Sequence, residues 1–192
     1  PLSYSYFCNK SYSIWNADQI DGYKPPYVKV KMRRSDIERL ANVEQFVKNT
    51  GATVHHGGNR AYYTPTFDEI HMPESSQFKK TGKTTAQENY YAVLLHELTH
   101  WTGHKSRLNR LKHKAFGDNA YAFEELIAES GSAMLCTSLG IMSEPRPDHA
   151  KYLNNWKQGI KDNPNAIMSA FSMATKVVDY LEDLQDKKES VA

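Results

Sequence analysis

Cysteine is nearly missing from this chain of 192 residues: there are two, Cys8 and Cys136. Thiols that far apart in sequence make neither a disulfide framework nor a zinc knuckle. They read as free thiols of a reducing compartment. Long apolar runs are missing too. No stretch approaches the roughly 20 residues that a membrane-spanning helix needs, and no secretory signal pattern opens the chain. A cytoplasmic protein without a membrane partner is the expectation. Charge of one sign is also scarce. The 24 Lys and Arg nearly balance the 22 Asp and Glu, and a net charge of +2 is too small to argue for nucleic-acid binding by itself. Internal repeats and low-complexity segments are absent. What is present is an ordinary globular composition, 40% hydrophobic and 24% charged. The length suits a single domain over 1–192.

The N-terminal 35 residues are rich in aromatics and turn formers. "SYSIWNADQI" reads as a strand leaving into a turn at Asp21-Gly22, and "YVKVK" as another extended piece. A helix-and-sheet part follows over 36–84. Ser35 and Glu38 form a capping-box signature. Ile37, Leu40, Val43 and Val47 then recur at helical spacing until Gly51. Three short strands are predicted at Ala52 to His56, Arg60 to Thr64 and Glu69 to Met72, with turns at Gly57-Gly58-Asn59 and Pro65 to Asp68. From 85 onward the chain reads helical. Thr85 and Glu88 make a second capping box for a helix over Ala86 to Thr102, with Gly103 as its stop. Further helices are predicted at Asn119 to Leu139, closed by Gly140, at Asp148 to Lys161, and after Asn163-Pro164. The last of these has an apolar face of Ile167, Phe171, Ala174, Val178 and Leu181. The terminal "DKKESVA" is expected to fray.

"YYAVLLHELTHWTGHKSR", from Tyr90 to Arg107, carries the chemistry. On a helical wheel with His96 at zero, His100 falls near 40° and Glu97 near 100°. Tyr91, Leu94, Leu95, Leu98 and Trp101 cluster at roughly 140° to 260°, on the other side. Two histidines four residues apart and opposite the apolar stripe are not placed like core residues. Their side chains are about 6 Å apart, so both imidazoles can converge on one Zn²⁺ at about 2.0–2.1 Å. Glu97 lies too far round to ligate well but can reach a metal-bound water. This is the H-E-x-x-H arrangement.

A catalytic zinc needs a third protein ligand and an open position. "FEELIAES" offers Glu124, Glu125 and Glu129. Glu125 and Glu129 share a face opposite Phe123, Ile127 and Met134. Ala128, Gly131 and Ser132 leave a flank of small side chains where another helix can approach. Glu125 is the expected third ligand, with Glu129 a carboxylate behind a ligand imidazole. The exchange of those two roles stays open, as does a solvated surface role for both. His104 is a rival ligand, but it lies beyond Gly103. A third histidine six residues after the second would fall on Ser106, so that subclass is disfavoured. His55, His56, His71, His113 and His149 read as strand, loop or surface residues, with a cleft-lining role for His71 and Tyr62 or Tyr63 as the lesser alternative.

Three ordered stretches, "GNRAYYTPTFDEIHMP", "YYAVLLHELTHWTGHKSRLNR" and "AYAFEELIAESGSAMLC", resemble the C-terminal zincin-like metallopeptidase domain of ArdC-type antirestriction proteins. The same domain occurs in TraC-type plasmid primases. "SIWNADQIDG" resembles its N-terminal strand, and "AKYLNNWKQGIKDNPNAIMSAFSMA" its closing helices. The resemblance implies an α+β zincin: a small, mostly antiparallel sheet packed on the H-E-x-x-H helix and a glutamate-bearing helix, with C-terminal helices. It implies His96 and His100 as metal ligands, Glu97 as the catalytic carboxylate, and a remaining ligand from "EELIAE", which is a gluzincin-like set. It further implies a plasmid-encoded antirestriction role. Family members carry an N-terminal single-stranded DNA-binding domain, expected to be absent from these 192 residues.

Two functions compete. In the first, zinc (or manganese or cobalt) activates a water for peptide hydrolysis with Glu97 as general base. An edge strand, Glu69 to Met72 or Arg60 to Thr64, would hold an extended peptide substrate. In the second, Lys105, Arg107, Arg110, Lys112 and Lys114, with Lys79, Lys80 and Lys83, hold the phosphates of single-stranded DNA, and the metal site is structural. A solvated basic loop is the plainer reading of that strip.

Overall fold

A computed structural model of the chain describes residues 21–22, 36–111, 119–141 and 165–189. The chain divides into two compact units, Pro1–Arg33 and Arg34–Ala192. In the first, the turn at Asp21 and Gly22 is described, as its residue types led one to expect. The expected strands around it, the Ser35 cap, the helix over 148–161 and the Asn163 cap lie outside the described residues.

The second unit runs α1 (Asp36–Thr50), β1 (Thr53–His56), β2 (Tyr62–Thr64), β3 (Glu69–Met72), a short 3-10 turn at Ser75–Gln77, α2 (Ala86–Thr102), α3 (Asn119–Leu139) and α4 (Asn165–Glu189). Gly51 ends α1 at φ 73° and Gly140 follows α3 at φ 72°, left-handed positions where a Cβ is costly. Gly103 stops α2 for another reason. Its φ is −76°, but a Cβ there would lie 2.8 Å from Leu111 Cγ, so close packing of the following loop demands glycine. The N-terminus of α2 carries the full capping box: Thr85 Oγ1 accepts from the Glu88 N–H, and Glu88 accepts from the Thr85 N–H at 2.9 Å.

The strand order is β1-β3-β2. β2 and β3 form an antiparallel hairpin, whereas β1 runs parallel to β3. The sheet is therefore mixed, not mostly antiparallel. Glu69–Met72 is its central strand, bonded on both sides, so the expectation that it could capture a substrate as an edge is corrected. β1 and β2 are the edges. Alternation along β3 turns Ile70 and Met72 into the core and leaves Glu69 and His71 on the opposite face.

α2 packs against β2, β3, α3 and α4. Leu94, Leu95, Leu98 and Trp101 are buried, as the wheel predicts, and join Val43, Phe46, Ile70, Met72, Ile127, Leu135, Val177 and Leu181 in one core. Burying side chains of this size contributes about 1.5–3 kcal/mol each. On α4 the buried line is Ala170, Ala174, Val177 and Leu181, with Val178 partly covered. Phe171, expected inward, is 44% exposed, because the inward stripe passes through the neighbouring Ala170. Helix α4 continues to Glu189, so 186–189 do not fray. Cys136 is a buried free thiol, pushed up to about 12 by its burial, and so is inert near neutral pH.

One contact sets the approach of three helices. Gly131 of α3 sits where an added Cβ would lie 3.0 Å from Thr99 Cγ2 on α2 and 3.7 Å from Val177 Cγ1 on α4. A Gly131→Val variant is expected to lose about 1–3 kcal/mol by overpacking. Urea denaturation checks this; a midpoint equal to the parent's would refute the close approach.

Candidate metal centre

Close packing at Gly131 brings the polar face of α2 against Glu124, Glu125 and Glu129 of α3. His96 Nε2 and His100 Nε2 lie 3.2 Å apart. Glu125 faces both: its Oε1 is 3.3 Å from His100 Nε2 and its Oε2 is 3.7 Å from His96 Nε2. One ligand atom from each of the three residues falls within 4.8 Å of the others. Two nitrogens bound to a tetrahedral ion at 2.0–2.1 Å would stand about 3.3 Å apart. The residues present therefore fit a divalent cation without a rotamer change. The far nitrogens of the rings also face carboxylates. His100 Nδ1 is 3.1 Å from Glu124 Oε1, and His96 Nδ1 is 3.6 Å from Glu129 Oε1. Tyr121, one turn before Glu125, hydrogen-bonds the Glu125 carboxylate. Glu97 is buried beside the pair and its field reaches His100.

The electrostatics follow from the donor types. Glu97, Glu124 and Glu125, each less than a tenth exposed, gather with Glu129 around the two imidazoles, and Arg110 pairs with Glu124. Buried carboxylates need positive charge or hydrogen-bond donors close by. Burial alone would lower the His100 pKa. Its bonds to Glu124 and Glu125, with the fields of Glu125 and Glu97, prevail and push it up to about 10. Burial likewise opposes charge on Glu125, yet His100, the field of His96 and the Tyr121 bond hold it below the usual carboxylate range. A pocket that favours a proton so strongly on an imidazole also favours a metal cation in its place.

In the basic loop after α2, two of the cations considered for phosphate contacts have internal partners. Arg107 is bound to both oxygens of Asp68, donates through Nε to the Trp101 carbonyl at 2.7 Å and lies 3.7 Å above the Trp101 ring. Arg110 donates through Nε and Nη2 to the two oxygens of Glu124, both at 3.0 Å. Both guanidinium groups are committed to internal partners, because the loop folds back over the C-terminus of α2, where carbonyls and buried carboxylates await donors. Lys105, Lys79, Lys80 and Lys83 are exposed, and Lys112 lies outside the described residues. His104 bonds to Ser106 through Nδ1 at 2.7 Å. Tyr63 donates to Asp68 at 2.8 Å, and Tyr62 stacks on His71 with ring centres 4.7 Å apart; these partners belong to the sheet and its turn.

With this arrangement in view, comparison with known proteins is informative. The profile of the zincin-like metallopeptidase family matches residues 41–173. The chain belongs to that family. The crystal structure of the ArdC antirestriction protein from plasmid R388 in its Mn(II)-bound form is 42% identical, with a TM-score of 0.68 over 88% of this chain and 60% of the other. Its metal-free form gives 41% and 0.70, over 90% and 60%. The α+β zincin architecture expected from the motifs is thus the fold of this chain. The uncharacterized protein y4eC of Sinorhizobium fredii is 39% identical over 176 residues, and DNA primase TraC of Escherichia coli 40% over 177. The match covers 92% of this zincin-like chain in both cases, but 54% and 16% of the relatives, so the chain spans about half or less of those proteins.

Three residues of the centre escaped the sequence reading. Glu124 was seen beside Glu125 but given no role; an adjacent residue is turned 100° away, which here is the direction of His100. Arg110 looked like one cation of a run. Tyr121 had a legible signal, since it stands four residues before Glu125. If the three donors form one site, Zn²⁺ at about a hundredfold excess over its dissociation constant should stabilise the fold by about 2.7 kcal/mol. His100→Ala should abolish that increment in a thermal melt. An undiminished increment would contradict the donor set.

Proposed function

We propose that this domain is a metal-dependent peptide hydrolase in which His96, His100 and Glu125 hold the ion and Glu97 is the general base. The convergence of two Nε2 atoms and one carboxylate from facing helices carries the reading. Zinc is the default for such a nitrogen-and-oxygen donor set, and manganese or cobalt suit it as well. When bound, the ion lowers the pKa of a coordinated water to about 7 and polarises a carbonyl. Glu97 stands one residue from His96, buried, and accepts the proton of the attacking water before handing it to the leaving amine. Glu129 faces the far side of His96 and Glu124 that of His100, orienting both rings. β2 is the edge strand that packs on α2, so an extended peptide would pair along Tyr62–Thr64. The likeness to an antirestriction protein and to primases supports work beside plasmid DNA in the bacterial cytoplasm.

Glu97→Gln should keep the ion and lose at least 100-fold in hydrolysis of a quenched-fluorescent peptide mixture. A variant that retains its metal and cleaves as fast as the parent removes Glu97 from the mechanism.

A second reading, binding of single-stranded DNA, now rests on the exposed lysines at 79, 80, 83 and 105. Without Arg107 and Arg110 such binding should be weak and should fall steeply with salt. Fluorescence anisotropy of a labelled oligonucleotide over a salt series checks this. No binding at low salt ends the DNA role for this chain.

A further inference from the structure

We propose that Arg110 and Glu124 are positioning residues of the metal centre, a guanidinium–carboxylate relay that sets the tautomer and the aim of His100. The inference rests on the reading that His96, His100 and Glu125 hold the ion. A neutral imidazole has one N–H and one lone pair. For Nε2 of His100 to face the shared point, Nδ1 must carry the hydrogen, and the group beyond it must be an acceptor. Glu124 is that group, 3.1 Å away and 3% exposed. Arg110 holds that carboxylate in place by donating to both of its oxygens, with Nε on Oε2 and Nη2 on Oε1, each at 3.0 Å.

The guanidinium is itself held. Its Nη1 donates to Thr102 Oγ1 at 2.6 Å and its Nη2 also reaches the Thr99 carbonyl. Thr99 is the residue against which Gly131 packs. The relay is therefore anchored on the helix that carries His100 and reaches back to that same ring through α3. His96 is served differently. Its Nδ1 stands 3.6 Å from Glu129, beyond a hydrogen bond, and Glu129 is more exposed than Glu124. A role confined to tying the loop at 104–111 to α2 would use the Thr102 and Thr99 bonds and would not need Glu124.

The test measures zinc affinity by chelator competition, and the visible spectrum of the Co²⁺-loaded protein, for the full chain and its variants. Glu124→Gln keeps the shape but faces an amide toward Arg110. It should lower zinc affinity 10–100-fold and alter the Co²⁺ bands while circular dichroism of the metal-free protein is unchanged. Arg110→Lys should give a smaller loss, and adding it to Glu124→Gln should cost nothing more, because Arg110 acts through Glu124. Glu129→Gln should cost less than Glu124→Gln. Affinity of Glu124→Gln within twofold of the parent, with His100→Ala still losing the ion, overturns the relay and leaves the metal centre standing. Retention of the ion by His100→Ala overturns the centre and the relay with it. Nitrogen-15 NMR of the zinc-loaded parent keeps the matter decidable if variants fail to fold. His100 must show a protonated Nδ1 and a ligated Nε2, and the opposite tautomer overturns the proposal.

Discussion

The structure depends on one electrostatic constraint: four carboxylates gathered on the seam between two helices, with positive charge needed close by to balance them. Such a seam cannot simply be packed shut. Carboxylates buried without partners would lift their pKa values and take up protons, or push the helices apart. Here that need is met from two directions. Arg110 neutralises Glu124 from outside the seam, and the imidazoles of His96 and His100 offer basic nitrogens inside it. The same crowding that makes a proton on His100 so favourable makes room for a doubly charged ion where the two Nε2 atoms and Glu125 meet. Cation capture is a consequence of the charge balance, not an ornament on a finished fold.

The rest of the scaffold keeps that seam narrow. Glycine at 131 lets α3 approach Thr99, and the buried line on α4 presses from behind through Val177. The capping box at Thr85 fixes where α2 begins, so its register places His96 and His100 toward α3 while Leu94, Leu95 and Leu98 meet the core. At the other end Arg107 seals the loop onto the β2–β3 turn through Asp68, whose carboxylate this guanidinium holds below its ordinary range. That tie is exposed on its Asp68 side, at 36%, and contributes modestly on its own. Its value lies in placing the following Arg110 over the C-terminus of α2.

What was legible beforehand follows from how local each signal is. The limits of α2 and α3, the capping box at Thr85 and the inward set of leucines are short-range patterns of 3.6-residue periodicity and side-chain chemistry, and they needed no tertiary knowledge. The His96–His100 pair was legible because four residues make one helical turn. Strand order was not. Three consecutive strands with turn residues between them suggest a meander, yet β1 pairs parallel to β3 and leaves β2 at an edge, a choice made by the helices that cover the sheet. The fates of Arg107 and Arg110 were illegible for a related reason. In sequence they are neighbours in a run of cations. In space each meets a specific carboxylate, one 39 residues earlier and one 14 residues later. Phe171 misled because a helical stripe drifts, and its place is taken by the smaller Ala170.

The unequal treatment of four chemically similar carboxylates is what turns this seam into a site. Glu124 accepts from a guanidinium through both of its oxygens. Glu125 faces both Nε2 atoms and has its remaining capacity engaged by Tyr121. Glu129 is the most open of the three on α3 and lies at the far nitrogen of His96. Glu97 comes from the other helix, and its field reaches His100. In the proposed hydrolase, a dipositive ion held by one anionic ligand and two neutral rings would keep a net positive charge, with which it would acidify a water or polarise a carbonyl. Were Glu124 left unneutralised, its charge would be felt through His100 and would lessen the residual charge. In the proposed centre Arg110 would thus serve acidity as well as geometry, although the sequence alone assigns this cation to the surface.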